Sequence, residues 1–291
     1  MISLILSAAL VLMLLVDATV GTVRTRRALA TFEAVPDNRV RYYRRFIASG
    51  WVRAATATLV TFTAGLSLTE IGVSGPGGGP VGGAPDGGIL AWLVAVVMSV
   101  SVGVGAVRIR SRMRAGQVHP QRARIAALMP RTASERRYAV ALAVTAGITE
   151  EIVFRGALIA LGIEVFHLPV PASAALNLIL FAALHAYQGR VGLLNSAFLG
   201  LLFTGLTLLA GSLLPAIVMH IAVDLWALLV VPAEPTPRAT EADRPGENTE
   251  VVPAGTTGRA VPLVDTPRPS DAGRTNAPST VPAIRSPTPA G

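Results

Sequence analysis

Apolar residues in this 291-residue chain come in runs of about twenty, the length that crosses the hydrocarbon core of a bilayer as an α-helix. The pattern predicts seven helical spans, over residues 2–23, 48–72, 89–107, 138–162, 170–187, 190–210 and 212–231. A re-entrant segment or half-helix would change that count by one. Ser134 and Glu135 mark a start for the fourth helix, since such residues satisfy first-turn N–H groups. Pro169 and Pro171 mark the start of the fifth, where a missing N–H costs nothing. Trp51 sits where an interfacial anchor belongs. For the first run, an uncleaved helix competes with a cleaved signal peptide. The helix is favoured, because no basic n-region precedes the run and no clear small-x-small site follows it.

Polar segments set the orientation. Loop 24–47 holds seven Arg against Glu33 and Asp37, and loop 108–137 holds nine Arg against Glu135. Loop 74–88 is rich in Gly and Pro, carries only Asp86, and reads as a flexible outer loop. Arg concentrates in cytoplasmic loops, so the N-terminus is expected outside and the C-terminal tail in the cytoplasm. The whole chain is 52% hydrophobic and 14% charged, with a mean hydropathy of +0.56. A soluble domain is about one quarter charged. The expected fold is therefore all-α, a polytopic transmembrane bundle in the cell membrane. The net charge of +8 follows from the two Arg-rich loops and implies no nucleic-acid partner. With no cysteine, disulfides and thiolate metal sites are excluded.

Residues 232–291 hold twelve of the 21 Pro residues and no aromatic side chain, a composition expected to stay disordered and assigned no chemistry. The chain thus divides into N-terminal helices with Arg-rich loops (1–137), a helical core carrying the candidate chemistry (138–231), and the tail (232–291).

Three patterns inside the core break its apolar character: Glu150-Glu151-x-x-x-Arg155, Phe181-x-x-x-His185 and His220-x-x-x-Asp224. An ionisable side chain at the bilayer centre costs roughly 2.5–3.5 kcal/mol on the insertion scale, so each is a candidate for function. Glu151 and Arg155, four apart on one face, are expected to form a supporting ion pair. Glu150 lies about 100° around the helix and stays free to face a cavity, which suits a general base. Phe181 and His185 share a face near a helix end. Asp224 can accept from one nitrogen of His220 and leave the other to work. Glu150, His185 and His220 together also make a possible zinc set, two imidazoles and a carboxylate, although H-E-x-x-H is absent. Without metal, Glu150 oriented by His185 would activate water, and His220 with Asp224 would stabilise the oxyanion. The reading leans to the metal-free route and leaves zinc open.

Read as EEIVFR, FAALH and HIAVD, in that order within apolar helices over residues 138–231, the motifs resemble the CAAX-protease and bacteriocin-processing family of intramembrane proteases. That family's pattern is EExxxR, FxxxH, then HxxxN or HxxxD. The resemblance implies an intramembrane endopeptidase acting on a membrane-associated peptide or protein. It implies Glu150, His185, His220 and Asp224 as the catalytic set, with Glu151, Arg155 and Phe181 in support. Two other classes stay in view: a non-catalytic scaffold or immunity protein on the same fold, and a proton-coupled transporter. The missing inverted repeat weighs against the transporter. No oligomeric state follows from the sequence.

Overall fold

Each predicted span corresponds to a helix, and their ends follow from local chemistry. The computed structural model describes residues 1–32, 35, 37–73, 78–79, 82–84, 86–115 and 126–230, all within the compact unit Met1–Arg238. The 232–291 tail lies outside the described residues, as do parts of loops 74–88 and 108–137. No strand occurs among the described residues.

Helix α1 runs over Ile2–Val16, a π-helical segment Asp17–Gly21 and Thr22–Ala30. Helix α2 is Asn38–Thr63 and α3 is Gly87–Arg114. Helix α4 is Ala133–Glu151 and continues through a π-helical segment, Ile152–Leu158, into Ile159–Glu164. Helix α5 is Val170–Leu184, followed by the 3₁₀ turn Ala186–Gln188. Helix α6 is Gly189–Ala210, and α7 is Leu214–Leu225 with a π-helical extension, Trp226–Val230.

Three stretches are long and apolar enough to cross a membrane, Ile2–Ala30, Gly87–Arg112 and Ala186–Ala210; Val170–Leu184 and Leu214–Val230 are apolar but shorter. Leu12, Leu59, Leu93, Val100, Ile179 and Leu201 point outward from their helices with most of their surface uncovered. An apolar belt of that extent is the signature of a lipid-facing surface. The chain is a membrane protein.

Two boundaries differ from the sequence reading. The second helix ends at Thr63, not near residue 72. Gly65 takes φ +81°, and Ser67 N–H donates to the Glu70 carboxylate at 2.7 Å, so the chain turns back. Leu66 and Ile71 then bury themselves against the bundle, and Leu213 N–H donates to the Gly72 carbonyl at 2.9 Å. The fourth helix is capped by Thr132 rather than begun at Ser134. Its side chain accepts from Glu135 N–H, and Glu135 accepts from Thr132 N–H, each at 3.1 Å. This reciprocal capping box satisfies two first-turn donors.

Helix α4 is the centre of the assembly, packed on α2 along one side and α7 along another. Glycines permit the close approach. A Cβ at Gly147 would sit 2.5 Å from Cγ1 of Ile221 on α7, and one at Gly50 would sit 3.0 Å from Oγ1 of Thr149. One apolar core joins α1, α2, the π segment of α4 and α5; a second joins α3, α6 and α7. The motif residues lie where the two cores meet.

At the end of α4 nearest the Arg-rich loops, Arg39 donates to Glu135 at 2.8 Å, and both side chains are buried. Burial alone would raise the Glu135 pKa. Donation from Arg131 N–H, Arg39 and Thr132 N–H outweighs it and holds the carboxyl below its ordinary value.

Candidate active site

Helix periodicity splits the paired glutamates. Glu151 is fully buried and Glu150 is partly open. Glu151 Oε1 accepts from Arg155 Nη1 at 3.1 Å within the same helix. The guanidinium has no exposed surface, yet its charge is compensated. Its Nη2 donates to the Gly200 carbonyl at 3.2 Å, and its Cζ lies 4.1, 5.4 and 6.0 Å from the ring centres of Phe181, Phe203 and Phe154. Aromatic faces and one carboxylate replace the water such a group would otherwise hold.

The same Glu151 oxygen lies 2.7 Å from Nδ1 of His220 on α7. A carboxylate can only accept, so Nδ1 carries the proton and Nε2 is turned toward the cavity. The sequence reading gave this tautomer-setting role to Asp224. Its Oδ2 is 3.8 Å from His220 Nε2, too far for a hydrogen bond and on the other ring nitrogen. One turn along α7 places the Asp224 carboxylate at the working edge of the ring, and the Glu on the neighbouring helix takes Nδ1.

Glu150 Oε2 is 4.0 Å from His220 Nε2 and has no hydrogen-bond partner among the described residues. That gap is too long for direct bonding. His185 caps α5, its Nδ1 2.8 Å from the Phe181 carbonyl and its ring tilted against Phe181 with centres 4.6 Å apart. The bond to a carbonyl leaves Nε2 of His185 as an acceptor. Glu150, His185, His220 and Asp224 all line one cavity of about 770 Å³. Residues of α1 and α2 near the Arg-rich loop between them, Thr25 and Tyr42 among them, also line it.

Among the described residues, no three of His, Cys, Asp and Glu are grouped so as to hold a metal ion. Glu150, His185 and His220 are not grouped in that way in this structure.

The structure adds three residues that the motifs did not point to. Phe203 stacks on the His220 ring at 4.7 Å and 15°, fixing its plane. Gly200 supplies the carbonyl for Arg155, and a Cβ there would sit 2.9 Å from Phe181. Gly147 lets α7 approach closely enough for His220 to reach Glu151. Of these, Gly147 left a trace in the sequence, as a small residue four positions before Glu151 and so on its face.

Residues 133–226, from the first turn of α4 to the end of α7, match a family model described as Rce1-like, type II CAAX prenyl endopeptidase. No curated protein and no solved structure matches the chain.

Proposed function

We propose that the protein is an intramembrane endopeptidase in which Glu150 activates water against a peptide bond of a membrane-associated peptide or protein; the match of residues 133–226 to the type II CAAX prenyl endopeptidase model supports this reading. The observation that carries this reading is the asymmetry of the glutamate pair. Glu151 is buried away from the cavity with its Oε1 taken up by Arg155 and His220, whereas Glu150 lines the cavity, its Oε2 4.0 Å from an imidazole nitrogen and without a hydrogen-bond partner among the described residues.

Water held between Glu150 and His220 gives a proton to the Glu150 carboxylate as its oxygen attacks the carbonyl carbon. The developing oxyanion accepts from His220 Nε2 when that ring carries its second proton. Glu150 then passes the proton to the amide nitrogen as the C–N bond breaks, which closes the proton balance. Glu151 and Arg155 act on His220 alone, and Phe203 holds the ring plane. Asp224 faces the same edge of His220, its Oδ2 3.8 Å from Nε2.

The test compares membrane peptides from cells carrying wild type or Glu150→Gln. Cleavage products specific to wild type are expected, with none above roughly a tenth of that level in the variant, since loss of a general base costs about 10²–10⁴-fold. Equal cleavage by both would remove Glu150 from the mechanism. An absence of products from either would favour the scaffold reading.

A further inference from the structure

Asp17 and Arg53 sit within membrane spans and belong to none of the three motifs. Asp17 lies near the middle of the apolar stretch Ile2–Ala30, and Arg53 lies mid-helix in α2. Both are outside the family-matched segment. A charge at the depth of Asp17 is costly and marks a functional site by default, and Arg53, two residues from the interfacial Trp51, lies beside it. Both side chains line the same cavity as Glu150.

Their pairing is loose. Arg53 Nη1 and Asp17 Oδ2 are 3.5 Å apart, at the limit of a hydrogen bond, and the side chains remain 26% and 38% exposed. The Glu151–Arg155 pair, by contrast, is fully buried at 3.1 Å. The Arg53 guanidinium leans on the Phe46 ring at 5.8 Å, which orients its fork without consuming its donors.

Charge is unevenly distributed around the cavity. Arg24, Arg45 and Arg53, with Asp17 beside them, line the wall built by α1 and α2, and Glu150 and Asp224 line the wall built by α4 and α7. An anionic group entering the cavity is repelled from the hydrolytic wall and drawn to the cationic one. We propose that Arg53 is a substrate-binding residue that takes a carboxylate of the peptide, with Asp17 as the internal carboxylate occupying that position until substrate displaces it. This rests on the peptide-hydrolase reading of the cavity. The carboxylate has two possible sources, a chain terminus or an acidic side chain near the scissile bond.

The experiment measures binding, so it does not depend on turnover. The full chain carrying Glu150→Gln, in detergent, is titrated with an N-terminally fluorescent Leu/Ala peptide in three forms: free C-terminal acid, C-terminal amide, and C-terminal amide with one internal Glu. One acid-bearing form is expected to bind about tenfold or more tightly than the plain amide, as for a charge-assisted bidentate contact. Which form gains identifies the source. Adding Arg53→Gln removes the gain, and Arg53→Lys retains part of it. Adding Asp17→Asn tightens acid binding by releasing Arg53, whereas a purely structural salt bridge predicts no such gain. Equal binding of all three forms, an acid preference that survives Arg53→Gln, or no saturable binding overturns the proposal. An acid preference in a protein whose wild type cleaves nothing would instead keep this site and overturn the protease reading.

Discussion

His220 and Glu151, 69 positions apart in sequence, meet across the α4–α7 interface at 2.7 Å, and this contact joins the ion pair of one helix to the imidazole of another. Arg155, Glu151 and His220 form one relay, and the buried Phe203 ring stacks on His220. The two glutamates of the motif are therefore expected to fail in different ways when changed.

Glu150→Gln removes a cavity carboxylate and leaves packing intact. Arg155→Ala strands Glu151 and empties a site among three aromatic rings. Breaking a buried pair costs about 3–5 kcal/mol, so Arg155→Ala should lower the melting temperature in detergent and Glu150→Gln should leave it near wild type. Equal melting temperatures for the two variants would contradict this separation.

Gly147 sets the distance between α4 and α7. Gly147→Ala places a Cβ 2.5 Å from Ile221 and should push His220 away from both glutamates. A displacement of about 1 Å can cost about 10²-fold in rate. Gly205→Ala, with nothing within 4 Å of its Cβ, is the control and should retain activity. Comparable activity in the two variants would show that the close packing is dispensable.

Glu135 ties the start of α4 to Arg39 near the Arg-rich loops. Its pKa is held below the ordinary value, so its contribution to stability is full above about pH 4.5 and is lost as pH falls through the lower folded value. The melting-temperature gap between wild type and Glu135→Gln should be widest at neutral pH and close on acidification below that point. A gap that widens in acid would reverse the sign.

The orientation expected from the Arg-rich loops is open to a direct check, because the chain has no cysteine. Impermeant maleimide applied to intact cells should label Leu68→Cys, which is exposed in the segment after α2, and spare Ala115→Cys at the end of α3. The opposite labelling would place the mouth of the cavity on the other side of the membrane.

The metal question separates two roles for His185 and His220. Without metal they orient and donate, and purified enzyme dialysed against EDTA should keep its activity. One zinc per chain, with activity lost on chelation and restored by zinc, would make them ligands with Glu150.

The sequence by itself determined the membrane-spanning elements and the i,i+4 pair. A run of apolar residues partitions into lipid whatever its neighbours do, and Glu151 reaches Arg155 through helix geometry alone. Pro171 in the first turn of α5 was legible for the same local reason. Tertiary structure decided the rest. It turned the chain back after Thr63 so that Ile71 could cover the bundle, and it paired His220 with Glu151 instead of Asp224. It also placed Phe203 on the imidazole and brought Arg53 and Asp17 into the cavity. None of these was visible, because a membrane helix is apolar on both its lipid-facing and its bundle-facing sides. In α5, Leu176 and Ile179 face outward while Leu180 and Phe181 are buried, yet all four are apolar. The stripe that reveals a soluble helix's inner face is missing, so helix rotation, and with it every interhelical contact of the site, is set by packing of small residues and by the few polar partners that packing brings together.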